Sequence, residues 1–514
     1  MSGELAPATR TLAELTAGLL PVPADIEVSD VTLDSRAVRP GGLFLACGGL
    51  TRHGVAFAAD AAARGARAIL FDSDAPAPAV GPAVFVAAVP RLGSLLGTIA
   101  DRFFGAPSQS LTVTGVTGTN GKTTCAYLLA QALTLCGRPA AYIGTIGVGF
   151  PAALTPTAHT TADVITVHRQ LAELRRLGAV CVAMEVSSHA LELGRVDGVR
   201  FRAAAFTNLT RDHLDLHGSM QAYGQAKARL FEYATLTEQI INIDDAFGLE
   251  LARGTLRRAP QQLIATSRVA HTAELRGARF VRAARATPLQ SGQSIEIESS
   301  WGAARTTVAL LGEFNVDNVL TVLGVLLGAG VELQRAAAAL AACTAPPGRL
   351  EAIAGRDGRI AIVDYAHSPD ALEKALCAVR AHCRGRLTVV FGCGGDRDPG
   401  KRPLMGRIAV EHADAVVLTD DNPRGEDPHH IVREILAGIH APYAAELAVE
   451  HDRSRAIRAA LEASTAGDVV LIAGKGHEDY QIYGAERRPF SDQAVVREYF
   501  GLGAATPSGS AGPA

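Results

Sequence analysis

The segment Gly115-Val-Thr-Gly-Thr-Asn-Gly-Lys-Thr-Thr124 stands between an apolar β-run, Leu111-Thr-Val-Thr-Gly115, and a helix-like run from Cys125 to Leu135. A strand that turns through glycines into a helix points successive backbone N–H groups and the helix N-terminus at an anion. The spacing predicts a phosphate loop made of Gly118, Thr119, Asn120, Gly121, Lys122, Thr123 and Thr124. Lys122 is expected to bridge the β- and γ-phosphates of a nucleotide, with the Thr123 hydroxyl on Mg²⁺. The strict G-x-x-x-x-G-K-[ST] pattern would need glycine where Val116 stands, so the loop meets the chemistry without the common expression. A glycine-rich turn that binds nothing is the bland alternative. Lys-Thr-Thr at the helix start argues against it.

A strand–loop–helix of this kind belongs in a parallel sheet, and further β-runs supply one. Val180–Val186, Ala203–Thr207 and Ile240–Ile243 read as buried strands beside Leu111–Gly115. A second set, Ile360–Asp364, Leu387–Phe391, Ala415–Thr419 and Val469–Ala473, follows later. Helix-like stretches separate many of these runs, which predicts α/β sheets covered on both faces. At roughly 150 residues per domain, 514 residues predict about three domains. Gly105-Ala-Pro-Ser108 and Ala345-Pro-Pro-Gly348 are the expected boundaries, giving domains 1–108, 109–345 and 346–502. Residues 503–514 read as a disordered tail.

Charge and cysteine usage narrow the setting. Lys and Arg number 49 against 52 Asp and Glu, a net charge of −3, which speaks against a nucleic acid or an anionic membrane surface as partner. No apolar run reaches the roughly 18 residues that a membrane helix needs. Glu4, Glu14 and Asp25 interrupt the first 30 residues, so no secretory signal is expected. The eight cysteines form no C-x-x-C pair, which favours reduced core thiols in the cytoplasm.

Two further segments sit at strand ends, where an open α/β sheet gathers its ligands. Met184-Glu-Val-Ser-Ser-His-Ala190 brings Glu185, and Thr207-Asn-Leu-Thr-Arg-Asp-His213 brings His213. Beside a phosphate loop, both become candidate metal ligands, although histidine is an uncommon partner for Mg²⁺. Read bare, Glu185 could cap a helix and His213 could be a hydrogen-bonded structural histidine. Ala226-Lys-Ala-Arg229, read the same way, is a basic helical face on solvent.

Together these segments resemble the Mur ligases, the ATP-dependent amide-forming enzymes of peptidoglycan precursor synthesis. The resemblance runs from about Val31 to Asp492. It is carried by Asp34-Ser-Arg36, Pro40-Gly-Gly-Leu-Phe44, the Gly118–Thr124 loop, Met184–His189, Asp212-His-Leu-Asp215, Tyr223 and Ala226–Phe231. Gly312–Asn318, Gly348-Arg349, Asp364-Tyr-Ala-His367, Gly392–Asp398 and Gly474-Lys-Gly-His-Glu478 extend it. The set is most similar to the members that add the third amino acid. The resemblance implies a small N-terminal α/β uridine-binding domain, a central P-loop ATPase-type parallel-sheet domain and a C-terminal Rossmann-like domain. It also implies a reaction in which ATP phosphorylates a carboxylate and an amine displaces phosphate from the acyl phosphate.

The resemblance distributes the roles. Lys122, Glu185, His213 and Lys227 would be catalytic, with Thr123 and Glu185 on one Mg²⁺ and His213 and Lys227 on a second. An ammonium repels a cation, but the family's lysine is carbamoylated by CO₂, which makes it carboxylate-like. Asn315, Arg349 and Asp364 would join the loop around ATP, contributed from both sides of the second boundary. Contacts shared across that boundary would let ATP close the C-terminal domain over the centre and exclude water. Leu33 and Ser35 would contact uridine, while His159, Thr160, Thr161, Ser187 and Arg195 would hold the sugar and diphosphate. Here the chain departs from the family, with His159-Thr-Thr-Ala162 in place of Asn-Thr-Thr-Pro and Leu193 in place of a polar residue, commonly Gln.

Asp421-Asn422-Pro423-Arg424 indicates the incoming amino acid. An Arg fork binds a carboxylate through two parallel bonds that Lys cannot copy. In similar enzymes D-N-P-R accompanies meso-diaminopimelate, whose far end carries the carboxylate that L-lysine lacks. Arg397, Gly474 and Glu478 would complete that site, Glu478 facing the ammonium. The implied partners are UDP-N-acetylmuramoyl-L-Ala-D-Glu and meso-diaminopimelate, used by a monomer in the cytoplasm. The weighed alternatives are an L-lysine-adding version, folylpolyglutamate synthase, a P-loop motor, switch or transporter ATPase, and a catalytically dead scaffold. The N-terminal motif and D-N-P-R oppose the synthase, and the absence of spans and the second α/β domain oppose the transporter. The intact Lys122, Glu185, His213 and Lys227 oppose the scaffold.

Overall fold

The computed structural model describes residues 9–22, 26–49, 52–157, 159–269, 275 and 277–503, so the expected tail lies almost entirely outside the described residues. The chain divides into two compact units. One comprises residues 1–122, 137–150 and 155–239, and the other residues 123–136, 151–154 and 240–514.

Besides a two-stranded sheet of Arg10–Thr11 with Glu27–Val28, two larger sheets lie in the first unit. Strands Val31–Thr32, Leu43–Ala46, Ala68–Asp72 and Phe85–Val89 form an all-parallel four-stranded sheet. Its strands alternate strictly. Leu43, Leu45, Ala68 and Leu70 enter one core with Leu12, Ile99 and Phe103, while Phe44, Ala46, Ile69 and Phe71 enter another with Ala58 and Ala61. Burial on both faces explains why these strands read as continuous apolar runs. The second sheet places Ala140–Gly144, Cys181–Glu185, Thr112–Thr117 and Phe201–Phe206 side by side in parallel. Gly147–Phe150 pairs antiparallel with Ala140–Gly144. The expected phosphate loop therefore leaves a central strand, and Glu185 ends the neighbouring one.

In the second unit, Glu351–Ala354, Ile360–Asp364, Val469–Ala473, Leu387–Phe391, Ala415–Leu418 and Glu446–Val449 lie in that order in a six-stranded sheet. The first strand is antiparallel and the rest are parallel. Ile360, Ile362, Val469 and Leu471 face one core; Ala361, Val363, Val470 and Ile472 face the other. Each fully buried aliphatic side chain contributes roughly 1.5–3 kcal/mol. All four expected strands of this set are present. Unforeseen were the long antiparallel strands Arg279–Leu289, Gly292–Ser299 and Gly302–Val308. All eight cysteines are free thiols. Among the described residues no helix is long and apolar enough to cross a membrane.

Candidate active site

The phosphate loop runs from Thr117 into the helix Lys122–Leu135. Gly118 has φ +146°, and a Cβ there would lie 1.9 Å from Thr207 Oγ1, so only glycine passes. The loop is pinned from the strand end Phe206. Thr119 N donates to Asn208 O at 2.8 Å and Asn120 N to Asn208 Oδ1 at 3.0 Å. Thr207 Oγ1 donates to Asn120 O at 2.5 Å. Lys122 Nζ donates to the carbonyls of Gly118 and Thr119 at 2.9 and 2.8 Å.

Lys227 reverses the bland reading of its helix. On Met220–Ala228 its side chain is buried, with Nζ donating to Gly118 O at 2.8 Å and lying 4.2 Å from the centre of the Tyr223 ring. Burial first, and the nearby Lys122 charge second, push its pKa down to about 6. A lysine in this state is largely an uncharged amine at neutral pH. Tyr223 also reaches Thr119 Oγ1 through its hydroxyl at 3.2 Å.

Glu185 is buried and held on both oxygens. Tyr142 Oη donates to Oε1, Thr145 N donates to Oε1 at 2.9 Å, and Thr145 Oγ1 donates to Oε2 at 3.2 Å. Thr145 Oγ1 also meets Thr160 Oγ1 at 3.0 Å. Thr161 Oγ1 donates to Glu185 O at 2.9 Å and accepts from Ser187 N at 3.3 Å, while Arg195 Nη1 donates to Thr161 O at 3.2 Å. Glu185, Thr160, Thr161, Ser187 and Arg195 thus form one hydrogen-bonded group. His159 is exposed next to it, and Leu193 is 42% exposed, an apolar side chain where a polar contact was expected. Ser35 is buried in the turn Ser35–Ala37, capped by Asp34, and Leu33 packs on the N-terminal core. No hydrogen bond among the described residues joins these two to the Thr160 group.

His213 sits in the left-handed region at φ +52°, an uncommon conformation that concentrates at functional sites. Its ring meets His189 edge-on at 4.7 Å, and His217 Nε2 lies 3.0 Å from Ser188 Oγ. Among the described residues no group of three or more His, Cys, Asp or Glu is arranged to hold a metal ion. Of the residues expected to hold Mg²⁺, Glu185 offers a carboxylate, His213 an imidazole and Thr123 a hydroxyl. An uncharged Lys227 amine adds no hard oxygen ligand of the kind Mg²⁺ prefers.

In the second unit, Asn315 is buried, its Nδ2 donating to Leu311 O and its Oδ1 accepting from Asn318 Nδ2, both at 2.7 Å. Asn318 in turn accepts from Cys125 Sγ at 3.3 Å on the loop's helix. Asp364 accepts from Leu350 N and Ala366 N at 2.8 and 2.9 Å, and Arg349 lies 5.2 Å from the Tyr365 ring centre. Burial raises the Asp364 pKa against those bonds and the Arg349 charge.

The Asp421–Arg424 loop is held at several points. Arg424 adopts φ +52°, with its N–H donating to Ile482 O at 2.9 Å and its carbonyl accepting from Gly484 N at 2.6 Å. The hairpin of strands Tyr480–Tyr483 and Glu486–Pro489 therefore fixes its backbone. Arg424 Nη1 donates to Gly395 O at 2.8 Å, and a Cβ on Gly394 would lie 2.9 Å from Arg424 Nη1 and 3.7 Å from Arg397 Cγ. Both arginines border the same glycine turn. Asn422 Nδ2 donates to Glu478 Oε2 at 2.9 Å. Gly474, at φ +115°, leaves Asp421 Oδ2 uncrowded, 3.8 Å from where a Cβ would stand. Arg397, Asp421, Asn422, Arg424, Gly474 and Glu478 are thus gathered around one loop.

Three family models match in succession: the Mur ligase family catalytic domain over 27–103, the Mur ligase middle domain over 116–326, and the Mur ligase glutamate ligase domain over 348–476. A protein of Xanthomonas campestris, named UDP-N-acetylmuramoyl-L-alanyl-D-glutamate--2,6-diaminopimelate ligase, is 49% identical over 92% of this chain and 94% of its own length. The chain belongs to the Mur ligase family. A Chromobacterium violaceum protein of the same name is 48% identical over 92% of the chain and 94% of its own length. A solved structure titled with that activity shares 34% identity, covering 96% of this chain and 99% of the other at a TM-score of 0.72. The three-domain α/β architecture expected from the sequence is that of the family.

Sequence reasoning missed several groups in these sites. Tyr142 and Thr145 were given no role, and Tyr223 and Lys475 only places in motifs. The signal for Tyr142 was available: a tyrosine inside the apolar run Ala140–Gly144 needs a partner for its hydroxyl.

Proposed function

We propose that this chain is an ATP-dependent ligase that joins meso-2,6-diaminopimelate to the D-Glu carboxylate of UDP-N-acetylmuramoyl-L-Ala-D-Glu in peptidoglycan precursor synthesis. The names of its relatives support the substrates. The observation that carries the reading is the Asp421–Arg424 loop, which presents the Arg424 guanidinium together with the Glu478 carboxylate held by Asn422. A substrate end bearing both a carboxylate and an ammonium is complementary to that pair. Arg397, Asp421, Asn422, Pro423 and Gly474 would shape the rest of the pocket.

In the first step a D-Glu carboxylate oxygen attacks the γ-phosphorus of ATP and ADP departs, leaving an acyl phosphate. The diaminopimelate amine then attacks the acyl carbon, loses a proton, and the tetrahedral intermediate expels phosphate to give the amide. Lys122, with Gly118, Thr119, Asn120, Gly121, Thr123 and Thr124, would hold the triphosphate, and Asn315, Arg349 and Asp364 the rest of the nucleotide. Leu33 and Ser35 would hold uridine; His159, Thr160, Thr161, Ser187 and Arg195 would hold the sugar and diphosphate.

Mg²⁺, when bound, would offset the repulsion between carboxylate and triphosphate. Thr123 and Glu185 with phosphate oxygens suit one ion, since Mg²⁺ takes few protein ligands in nucleotide sites. His213 suits a second ion only once Lys227 offers oxygen. The lowered Lys227 pKa supports that conversion: an uncharged amine attacks CO₂, loses a proton and becomes an anionic carbamate. The reading includes domain boundaries near residues 108 and 345, a cytoplasmic location and a monomeric enzyme.

Incubation of the chain with ATP, Mg²⁺, the nucleotide dipeptide and meso-diaminopimelate, read by mass spectrometry, tests this. The expected product is the nucleotide dipeptide plus one diaminopimelyl residue, with one ADP and one phosphate per amide. ATP hydrolysis without the heavier nucleotide would contradict it.

A further inference from the structure

Lys475 is completely buried at the end of the strand Val469–Ala473, between Gly474 and Gly476 at φ +115° and +52°. A Cβ on Gly476 would come within 2.6 Å of the Tyr365 side chain, so the turn that buries Lys475 requires glycine there. Its Nζ donates to Glu478 Oε2 at 3.1 Å, Asn422 Oδ1 at 3.2 Å and Asp421 Oδ1 at 3.4 Å. All three partners belong to the loop and turn that the functional reading assigns to the incoming amino acid.

We propose that Lys475 is a specificity-determining positioning residue, whose ammonium cancels one of the two carboxylate charges of Asp421 and Glu478 and leaves one for the substrate's distal ammonium. This rests on the reading of the amino-acid pocket given above. Two carboxylates with one ammonium carry a net charge of −1, which matches one cationic group. Lys475 occupies Glu478 Oε2 together with Asn422 Nδ2, and no hydrogen bond from the described residues falls on Glu478 Oε1. Asn422 is locked in orientation, because its Oδ1 accepts from both Lys475 Nζ and Ile482 N, at 3.2 and 3.0 Å. Buried carboxylates left facing each other without a cation would share a proton.

Other charged and titratable groups surround the pair. Arg453 is buried on Asp492 and feels both Asp421 and Glu478, while Tyr365, Tyr480 and Cys393 all have raised pKa values. His477 stands 5.3 Å from the Tyr365 ring, and Arg424 borders the loop. These groups are common to wild type and variants and cancel from their ratio.

The test measures the diaminopimelate KM at pH 6 and pH 8 for wild type, Lys475→Met and the double variant Lys475→Met/Asp421→Asn. Lys475→Met is expected to raise that KM at least tenfold at pH 8 and distinctly less at pH 6, where a shared proton replaces the lysine charge. The KM values for ATP and the nucleotide dipeptide stay within twofold. The double variant removes the second carboxylate charge while keeping that of Glu478, so it recovers most of the affinity and loses the pH dependence, and it stands in if the single variant fails to fold. A Lys475→Met KM within twofold of wild type, a pH-independent loss shared by all three substrates, or a double variant no better than the single would overturn the proposal. A wild-type enzyme that ignores diaminopimelate would instead contradict the functional reading beneath it.

Discussion

Lys122 and Lys227 donate to the same carbonyl oxygen, that of Gly118, at 2.9 and 2.8 Å. Burial of Lys227 disfavours its charged form, and the Lys122 ammonium on the same acceptor adds a smaller repulsion. Its pKa of about 6 against an ordinary 10.5 is the result. Between those values the unfolded chain holds a proton that the folded one has released. The cost to folding is therefore complete below pH 6 and is relieved as pH rises towards 10.5. Thermal unfolding at pH 6 and pH 9 should show wild type gaining on Lys227→Met as pH rises. A pH-independent difference would mean that Lys227 keeps an ordinary pKa.

Carbamoylation of the same uncharged amine, as proposed, would make activity depend on CO₂. In buffer stripped of CO₂ and bicarbonate the ligase rate should fall, and added bicarbonate should restore it. Lys227→Ala should be inactive under both conditions. A wild-type rate indifferent to bicarbonate would remove the carbamate from the account.

Glu185 is aimed by Tyr142 and Thr145. Glu185→Gln removes the carboxylate that the proposed reading places on Mg²⁺ and should lower kcat by about 10²–10³-fold. Tyr142→Phe removes one bond to a charged group, for which roughly 1.5–3 kcal/mol corresponds to about a ten- to hundredfold loss. Steady-state rates at saturating substrates decide the order, and a Tyr142→Phe loss as deep as that of Glu185→Gln would contradict it.

Local sequence carried the parts of the sites that are local. The strand–loop–helix around Gly118–Thr124 and the strand end at Glu185 are contiguous segments, and each stands where the β-runs beside it predicted. The C-terminal sheet was equally readable, because strands buried on both faces are apolar throughout. What escaped depends on residues far apart in sequence. Lys227 looks solvent-facing in Ala226-Lys-Ala-Arg229, and only its distance from Gly118, 109 residues earlier, reveals a buried amine. Arg424 looks like an exposed turn residue until the hairpin bond to Ile482 fixes its backbone. The strand Gly292–Ser299 had a usable signal, since Ile295 and Ile297 alternate with polar neighbours and are buried. Its neighbour Arg279–Leu289 has no such alternation, being exposed over much of its length.

Arg424 separates charge from shape. Arg424→Lys keeps the cation but loses the planar fork, so the diaminopimelate KM should rise about ten- to hundredfold, close to the effect of Arg424→Ala. The KM for ATP should not move. Full rescue by lysine would show that charge alone is read.

The central claim is that a carboxylate at the far end of the amino acid is recognised. Equal concentrations of meso-diaminopimelate and L-lysine, offered together with ATP and UDP-N-acetylmuramoyl-L-Ala-D-Glu, test it in one vessel. The account predicts a product pool, resolved by mass, dominated by the diaminopimelyl nucleotide. A lysyl product in equal or greater amount would contradict it.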